Sequence, residues 1–548
     1  MQDSPSSFVV SGNIVDVISG HIVGGTVEVR DGRVYRVTPD DRRHDTFLMP
    51  GFVDAHIHVE SSMLPPAEFA RLAVVQGTVA TVSDPHEIAN VLGLAGVRYM
   101  IGSGRAAPFT FCFGAPSCVP ATAFETAGAT LDAAAVESLF RDDAIGYLSE
   151  VMNVPGVING DADLLAKIAA AKRLGKPIDG HAPGLRGHDC EKYFATGITT
   201  DHECFTYEEA AEKLGHGVKI LIREGSAARN FDALYRLLGE HPDRCMLCSD
   251  DKHPNDLEAG HINALAARAV GRGIDPVGVL RAACVNPVEH YRLRTGLLRA
   301  GDRADFIEVA DLRTFRVMRT WIAGRLVAQD GQPLIDHVSS PIVNRFGAPP
   351  TRPDDFTVRA TGGEWVQVIE VIDGQLVTRR SRQRVTLRDG RAIADPARDL
   401  LKIAVVNRYL PAPPAVGFIR GFGLKRGAIA SSVAHDSHNV VAIAADDQSL
   451  CRAVNDIIAH RGGLSVVTGE DAAESLPLPI AGLMSDRDGR DVARRYAALD
   501  RLAKDLGSPL RAPFMSLSFM ALLVIPELKM SDRGLFDGVN WRFVDVIE

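Results

Sequence analysis

The chain has 548 residues, 46% apolar and 24% charged, the balance of a soluble globular protein with room for more than one domain. Its formal net charge of −9 excludes the dense Lys and Arg surface that nucleic acid or an anionic membrane requires, so a small molecule is the expected partner. No apolar run reaches the length of a membrane span, and MQDSPSSFVV lacks the basic and apolar parts of a secretory signal, which predicts a cytoplasmic protein.

Residues 7 to 48 read as short strands, with "GTVEVRDGRVYRV" alternating apolar and polar positions about Asp31-Gly32, a hairpin signal. Residues 303 to 327 have the same texture. Both flanks are therefore expected to join in one small β-sandwich, residues 1–49 with 301–340, around an inserted middle. Within residues 50–300, eight apolar runs read as strands: "LMPGFVDAHIH", "GTVATVSDPHE", "FTFCFGAPS", "AIGYLSEV", "KPIDGHAP", "GITTDHE", "GVKILIREGS" and "RCMLCSDD". Between most of them lie stretches of helical period, such as "PPAEFARLAVVQ", "DADLLAKIAAAKRLG" and "FDALYRLLGEHP". Eight βα units predict a TIM-like (β/α)8 barrel with its chemistry at the C-terminal ends of the strands. The Pro-rich stretch 341 to 353 reads as a linker, and residues 341–548 as a C-terminal α+β domain with strands in "EWVQVIEVIDGQLVTRR" and "NVVAIAA" and helices in "DQSLCRAVNDIIAHRGG" and "DVARRYAALDRLAKDLG".

The eight cysteines are scattered, so reduced thiols are expected. Cys245 and Cys248 have CxxC spacing without a second pair. On a strand, residues three apart face opposite ways, which predicts buried cysteines and no zinc ribbon.

His56 and His58 stand two apart on the first barrel strand and leave the same face, close enough to reach one ion at about 2.0–2.1 Å. Four further ligand-type residues end other strands: Glu150 in "YLSE", His181 in "IDGH", His202 in "TTDH" and Asp250 in "CSD". These six exceed the needs of a single zinc with three protein ligands and suit two ions about 3.5–4 Å apart bridged by a carboxylate. Adjacent strand residues face opposite ways, so only one of Asp250 and Asp251 is expected to point inward. His86 and Glu87, after the second strand, are candidates for substrate contact, set against a role of "DPHE" in capping the next helix. Ser117 and Cys118 end the third strand and Arg223, Glu224 and Ser226 the seventh; Ser117 and Arg223 are further candidates to bind substrate, and an Arg–Glu pair there could instead brace the site. "SSVAHDSHN" places His435, Asp436 and His438 together, as a hydrogen-bonded loop, a contribution to the substrate mouth or a further metal site.

Three other motif readings fail. "HEIAN" has Asn90 where HExxH needs histidine, "His58-Val59-Glu60" lacks the PCxxC partner because Arg244 precedes Cys245, and no phosphate-cradling glycine loop follows a strand.

"PGFVDAHIHVESS" resembles the first-strand motif of the amidohydrolase superfamily. "HIHVESSML", "DPHEIANVLG", "SEVMNVPGVI", "DGHAPGL", "LIREGSAARN", "MLCSDDKHP", "SSVAHDSHN" and "LPLPIAGLMS" together are similar to the bacterial adenine deaminases, from about residue 10 to the C-terminus. The resemblance implies that His56 and His58 hold one metal, His181 and His202 the second, that Glu150 bridges them and that Asp250 completes the first site. Many relatives bridge with a carboxylated lysine, but no lysine lies between Arg141 and Lys167, which leaves Glu150. It also implies hydrolysis of adenine to hypoxanthine and ammonia in purine salvage, by attack of metal-activated hydroxide on C6, with Asp250 and Glu150 as catalytic carboxylates. Oxygen and nitrogen ligands suit Mn²⁺, Fe²⁺ or Zn²⁺, and the resemblance favours two Mn²⁺ per chain. We expect a homo-oligomer, a dimer. The alternatives are a hydrolase of another aminated heterocycle or cyclic amide on the same scaffold, and a non-catalytic purine- or metal-binding protein.

Overall fold

The computed structural model describes residues 7–360, 363–469 and 472–548. The hairpin forms at Asp31 and Gly32, whose φ values of 48° and 75° are left-handed at both turn positions. That backbone matches the twist of the flanking strands, and Gly32 adopts it without strain. The two flanks meet in one continuous eight-stranded sheet, in which Phe47–Pro50 pairs with Ser7–Val15 on one side and with Phe306–Val309 on the other. Trp321 stacks on Phe306 at 4.6 Å in its core.

The middle of the chain is a parallel eight-stranded barrel: β1 Phe52–Ile57, β2 Thr78–Ser83, β3 Thr110–Ala115, β4 Ile145–Val151, β5 Ile178–Gly180, β6 Thr200–Asp201, β7 Lys219–Arg223 and β8 Cys245–Cys248. The seam between β8 and β1 closes through Asp250 N–H to His56 O at 2.9 Å and His58 N–H to Asp250 O at 3.3 Å. Ala55, Val82, Cys112, Tyr147, Leu221, Met246 and Cys248 form one cluster inside the barrel, while Cys245 and Leu247 pack in another with Ile220, Ile222 and Leu265. The CxxC cysteines thus face opposite ways, and all eight cysteines are free and buried. "FDALYRLLGEHP", expected as one helix, is two short ones, Phe231–Leu234 and Leu237–Glu240.

Residues 336–352 have no regular structure but are pinned: Ala481 N–H donates to Val343 O at 2.6 Å, and the buried Arg408 guanidinium donates to Asn344 Oδ1 at 2.8 Å. The C-terminal region is built on a third eight-stranded sheet. Besides the expected Trp365–Val371, Thr378–Arg384 and Val440–Ala444, it contains Leu401–Val406, Ala415–Arg420, Ala428–Ser431, Gly463–Val467 and Ala473–Pro477. Both faces of its centre are covered. Ala404, Ala428, Ala430, Ala442 and Ala444 pack under the helix Asp447–His460, and the opposite residues Ile403, Val405, Ile429, Val441 and Ile443 join the large core shared with the barrel. Small side chains on the helix face let the backbones approach closely. Among the described residues, no helix is long and apolar enough to cross a membrane.

Candidate active site

Each expected ligand leaves the C-terminal end of its strand and is buried: His56, His58, Glu150, His181, His202 and Asp250 are at most 6% exposed. Their backbones are fixed by neighbouring strands. Gly180 precedes His181 because a Cβ there would lie 2.5 Å from Thr200 O on the next strand. His181 N–H is bonded to Tyr193 Oη at 3.0 Å, and Tyr193 in turn donates to Val151 O beside Glu150. Below the site, Asp54 accepts from Ser249 N–H at 3.0 Å and stands 2.8 Å from His261 Nε2, which ties β1 to β8.

The spacing tests whether these groups fit metal ions. Ligands about 2.1 Å from one tetrahedral ion stand about 3.4 Å apart. His56 Nε2 and His58 Nε2 are 3.2 Å apart, His58 Nε2 and Asp250 Oδ1 3.3 Å, and His56 Nε2 and Asp250 Oδ1 3.8 Å. Glu150 divides its oxygens. Oε1 lies 3.3 Å from His58 Nε2 and 3.4 Å from His86 Nδ1, whereas Oε2 lies 2.6 Å from His181 Nδ1 and 3.1 Å from His202 Nε2. One carboxylate facing two histidine sets fits a bridge, and the buried Nδ1 of His56 and Nε2 of His181 have no hydrogen-bond partner. Burial opposes ionisation of Glu150, yet the adjacent His181 outweighs it and holds the carboxyl well below the usual range.

Four residues stand differently from expectation. Asp250 and Asp251 both line the cavity, because the strand has ended at Cys248 and Asp250 adopts a left-handed φ of 57°, which breaks the alternation. Asp251 accepts from Ser61 Oγ at 2.5 Å. Arg223 is buried and paired with two carboxylates, Glu203 (2.9 Å from Nη2 to Oε2) and Asp250, which it braces, while its Nε has no partner; Glu224 pairs instead with Arg268 at 2.7 Å. Ser117 does not line the cavity and donates to Glu150 O at 2.5 Å, holding that residue from behind. His86 lies among the ligands, 3.1 Å from Asp84 Oδ2. Glu203 was missed by sequence reasoning, and Asp84 was read only as part of the capping motif, where its Oδ1 does accept from His86 N–H at 3.1 Å. Glu203 directly follows His202, and a second acidic group after Asp201 at that strand end was the available signal.

Glu87 does not cap the helix α1, His86–Leu92; Ile88 N–H is met by Glu60 Oε1 at 3.2 Å. Both Glu87 oxygens instead bond histidines of the C-terminal region, Oε1 to His435 Nδ1 at 2.5 Å and Oε2 to His438 Nε2. Ala434 N–H donates to His438 Nδ1 at 3.2 Å, so His438 carries its proton on Nε2 and donates to Glu87. Direct bonds on both oxygens leave no room for an ion among these three residues.

The resulting cavity lies where the barrel mouth meets the C-terminal region. His58, His86, Glu150, His181, Glu203 and Asp250 form its floor. Leu376, His435, Asp436, Phe519, Leu522 and Val524, all from the C-terminal region, form its roof.

Residues 47–327 match the amidohydrolase family, and residues 375–542 match the adenine deaminase C-terminal domain. The chain is 57% identical to an adenine deaminase of Salinibacter ruber over 99% of both chains. It is 56% identical to one of a Sulfurovum species, over 97% of this chain and 98% of the relative, and 49% identical to one of Methanosarcina acetivorans over 98% of each. The family is one of metal-dependent hydrolases, and the buried His, Asp and Glu groups form clusters that could hold a divalent metal ion. With both of its halves matched and its full length shared with these relatives, the chain belongs to the adenine deaminase family of amidohydrolases.

Proposed function

We propose that this chain hydrolyses adenine to hypoxanthine and ammonia in purine salvage, using two divalent ions, with Mn²⁺ the favoured metal. The observation that carries this reading is the convergence of six ligand-type side chains, four of which (His58, Glu150, His181 and Asp250) line a cavity roofed by the family's own C-terminal domain. His56, His58 and Asp250 would hold one ion, His181 and His202 the other, with Glu150 between them and His86 alongside. A divalent ion, when bound, supplies the Lewis acidity that brings the pKa of water to about 7.

The chain's own groups handle position and protons. Arg223 occupies Asp250 Oδ2 and leaves Oδ1 turned toward His56 and His58. Asp250 Oδ1 takes the proton of the attacking water and returns it to the amine leaving C6. Leu376, Phe519, Leu522 and Val524 cover the ring and exclude bulk water from the reacting edge.

Asp250→Asn is expected to lower kcat by about 10²- to 10⁴-fold while metal content is retained, read by ammonia release alongside metal analysis. Full turnover in that variant would remove Asp250 from the proton path. Ammonia release from adenine, compared with turnover of hydantoin and dihydroorotate, separates deamination from cyclic-amide hydrolysis.

A further inference from the structure

His435 belongs to the C-terminal region, yet its ring sits in the cavity wall, 2% exposed. Three contacts fix it. Its backbone N–H donates to Ser518 O at 3.0 Å, its ring stacks on Phe519 with centroids 4.5 Å apart and planes within 9°, and its Nδ1 bonds Glu87 at 2.5 Å. Glu87 accepts from both His435 and His438, so it is a carboxylate and the His435 Nδ1 carries a proton.

The other nitrogen, Nε2, has no hydrogen-bond partner although it is buried. The nearest charge is Asp251 Oδ1 at 3.8 Å, too far for a hydrogen bond. With one carboxylate bonded to Nδ1 and a second beyond Nε2, the ring carries protons on both nitrogens, which makes Nε2 a donor aimed into the cavity. Burial opposes this protonation, but Glu87 outweighs it and raises the group to about 9. A polar atom buried without a partner costs about 1–3 kcal/mol in a folded protein and is worth explaining by a ligand.

Resting on the deamination reading above, we propose that His435 is the residue by which the C-terminal domain recognises substrate, its Nε2–H donating to the lone pair of N3 of adenine. With C6 at the floor, the ring edge remote from it faces the roof. That edge carries N3, which is para to C6, and N9. His435 is the roof residue that offers a donor there; Leu376, Phe519, Leu522 and Val524 are apolar, and Asp436 is an acceptor. The same placement sets N9 against apolar side chains, which offer a sugar no polar partner. Glu87, His438 and Phe519 act on the substrate through His435 by fixing its tautomer and plane.

The test compares adenine with 3-deazaadenine, which has C–H in place of the N3 acceptor, and uses 7-deazaadenine as a control, on Mn²⁺-loaded wild type, His435→Phe and His435→Gln. Intrinsic reactivity cancels because the same substrates are compared in each protein. In His435→Phe, kcat/KM for adenine is expected to fall about 10- to 100-fold, mainly through KM, while 3-deazaadenine falls less than about threefold, so the ratio between the two collapses. His435→Gln keeps an N–H donor and retains part of the ratio, and the ratio of adenine to 7-deazaadenine, both of which carry N3, changes less than about threefold in either variant. An adenine-to-3-deazaadenine ratio unchanged in either variant, with adenine still turned over, overturns the role of His435 and leaves the functional reading standing. If His435→Phe does not fold, absence of any loss of the ratio in His435→Gln together with wild-type indifference to N3 overturns it equally. Failure of the metal-loaded wild type to release ammonia from adenine overturns both.

Discussion

Glu125 shows how one buried carboxyl couples the barrel to its roof. It accepts from Thr122 Oγ1 at 3.0 Å and from Ser437 Oγ, in the roof loop, at 2.6 Å. Burial pushes its carboxyl up to about 8, against the lowering effect of Ser437. The folded state therefore binds more protons than the unfolded state between the ordinary glutamate value and about pH 8, so its contribution is fully present at acid pH and is lost as pH rises through 8. Glu125→Gln is expected to leave stability nearly unchanged at pH 5 and to raise the unfolding free energy by about 1 kcal/mol or more at pH 9, measured by denaturant titration at both values. At this scale the metal-ligand candidates were legible, because a histidine or carboxylate ending a barrel strand has few structural reasons to be there. Their supports were not. Glu203, Ser117 and the pairing of Arg223 depend on which strand ends lie side by side, and Asp251 depends on one left-handed residue that no periodicity announces.

Barrel strands announced themselves by short apolar runs at regular spacing, and the hairpin by Asp-Gly. The C-terminal sheet was harder because its central strands are covered on both faces, one by the helix Asp447–His460 and the other by the barrel core, so the alternation of a half-exposed strand is absent. "LKIAVV" and "AIAS" therefore carry no period of two, although their small and large residues do sort by face. That sorting has an energetic consequence. Ala442 lies beneath the helix with no exposed surface, and Ala442→Leu is expected to cost about 1–3 kcal/mol by overpacking, seen as a lower thermal midpoint. A comparable change at the exposed Val9 is expected to stay within about 0.5 kcal/mol. Likewise "SSVAHDSHN" showed its histidines but not their purpose, since Glu87 lies 348 positions from His435 in the chain.

On the scale of the whole molecule, the fold concentrates negative charge where barrel and C-terminal domain meet. Glu87, Glu150, Glu203, Asp250, Asp251 and Asp436 line one cavity, and Arg223 is the single Lys or Arg among its described lining residues. Divalent cations relieve that imbalance in the folded state alone, so chelation is expected to lower the thermal midpoint by several degrees and added Mn²⁺ to restore it; an ion at a hundred times its Kd contributes about 2.7 kcal/mol. A midpoint indifferent to chelator would show that the ions do not bind there tightly. The joint between the first and last staves has a further consequence. The amide rungs that fasten it belong to His56, His58 and Asp250 themselves, so the cylinder cannot loosen at this joint without spreading the side chains proposed to hold an ion. Shape and cation affinity are thus a single mechanical property, and a substitution that slackens the joint would empty the centre while every helix is still wound.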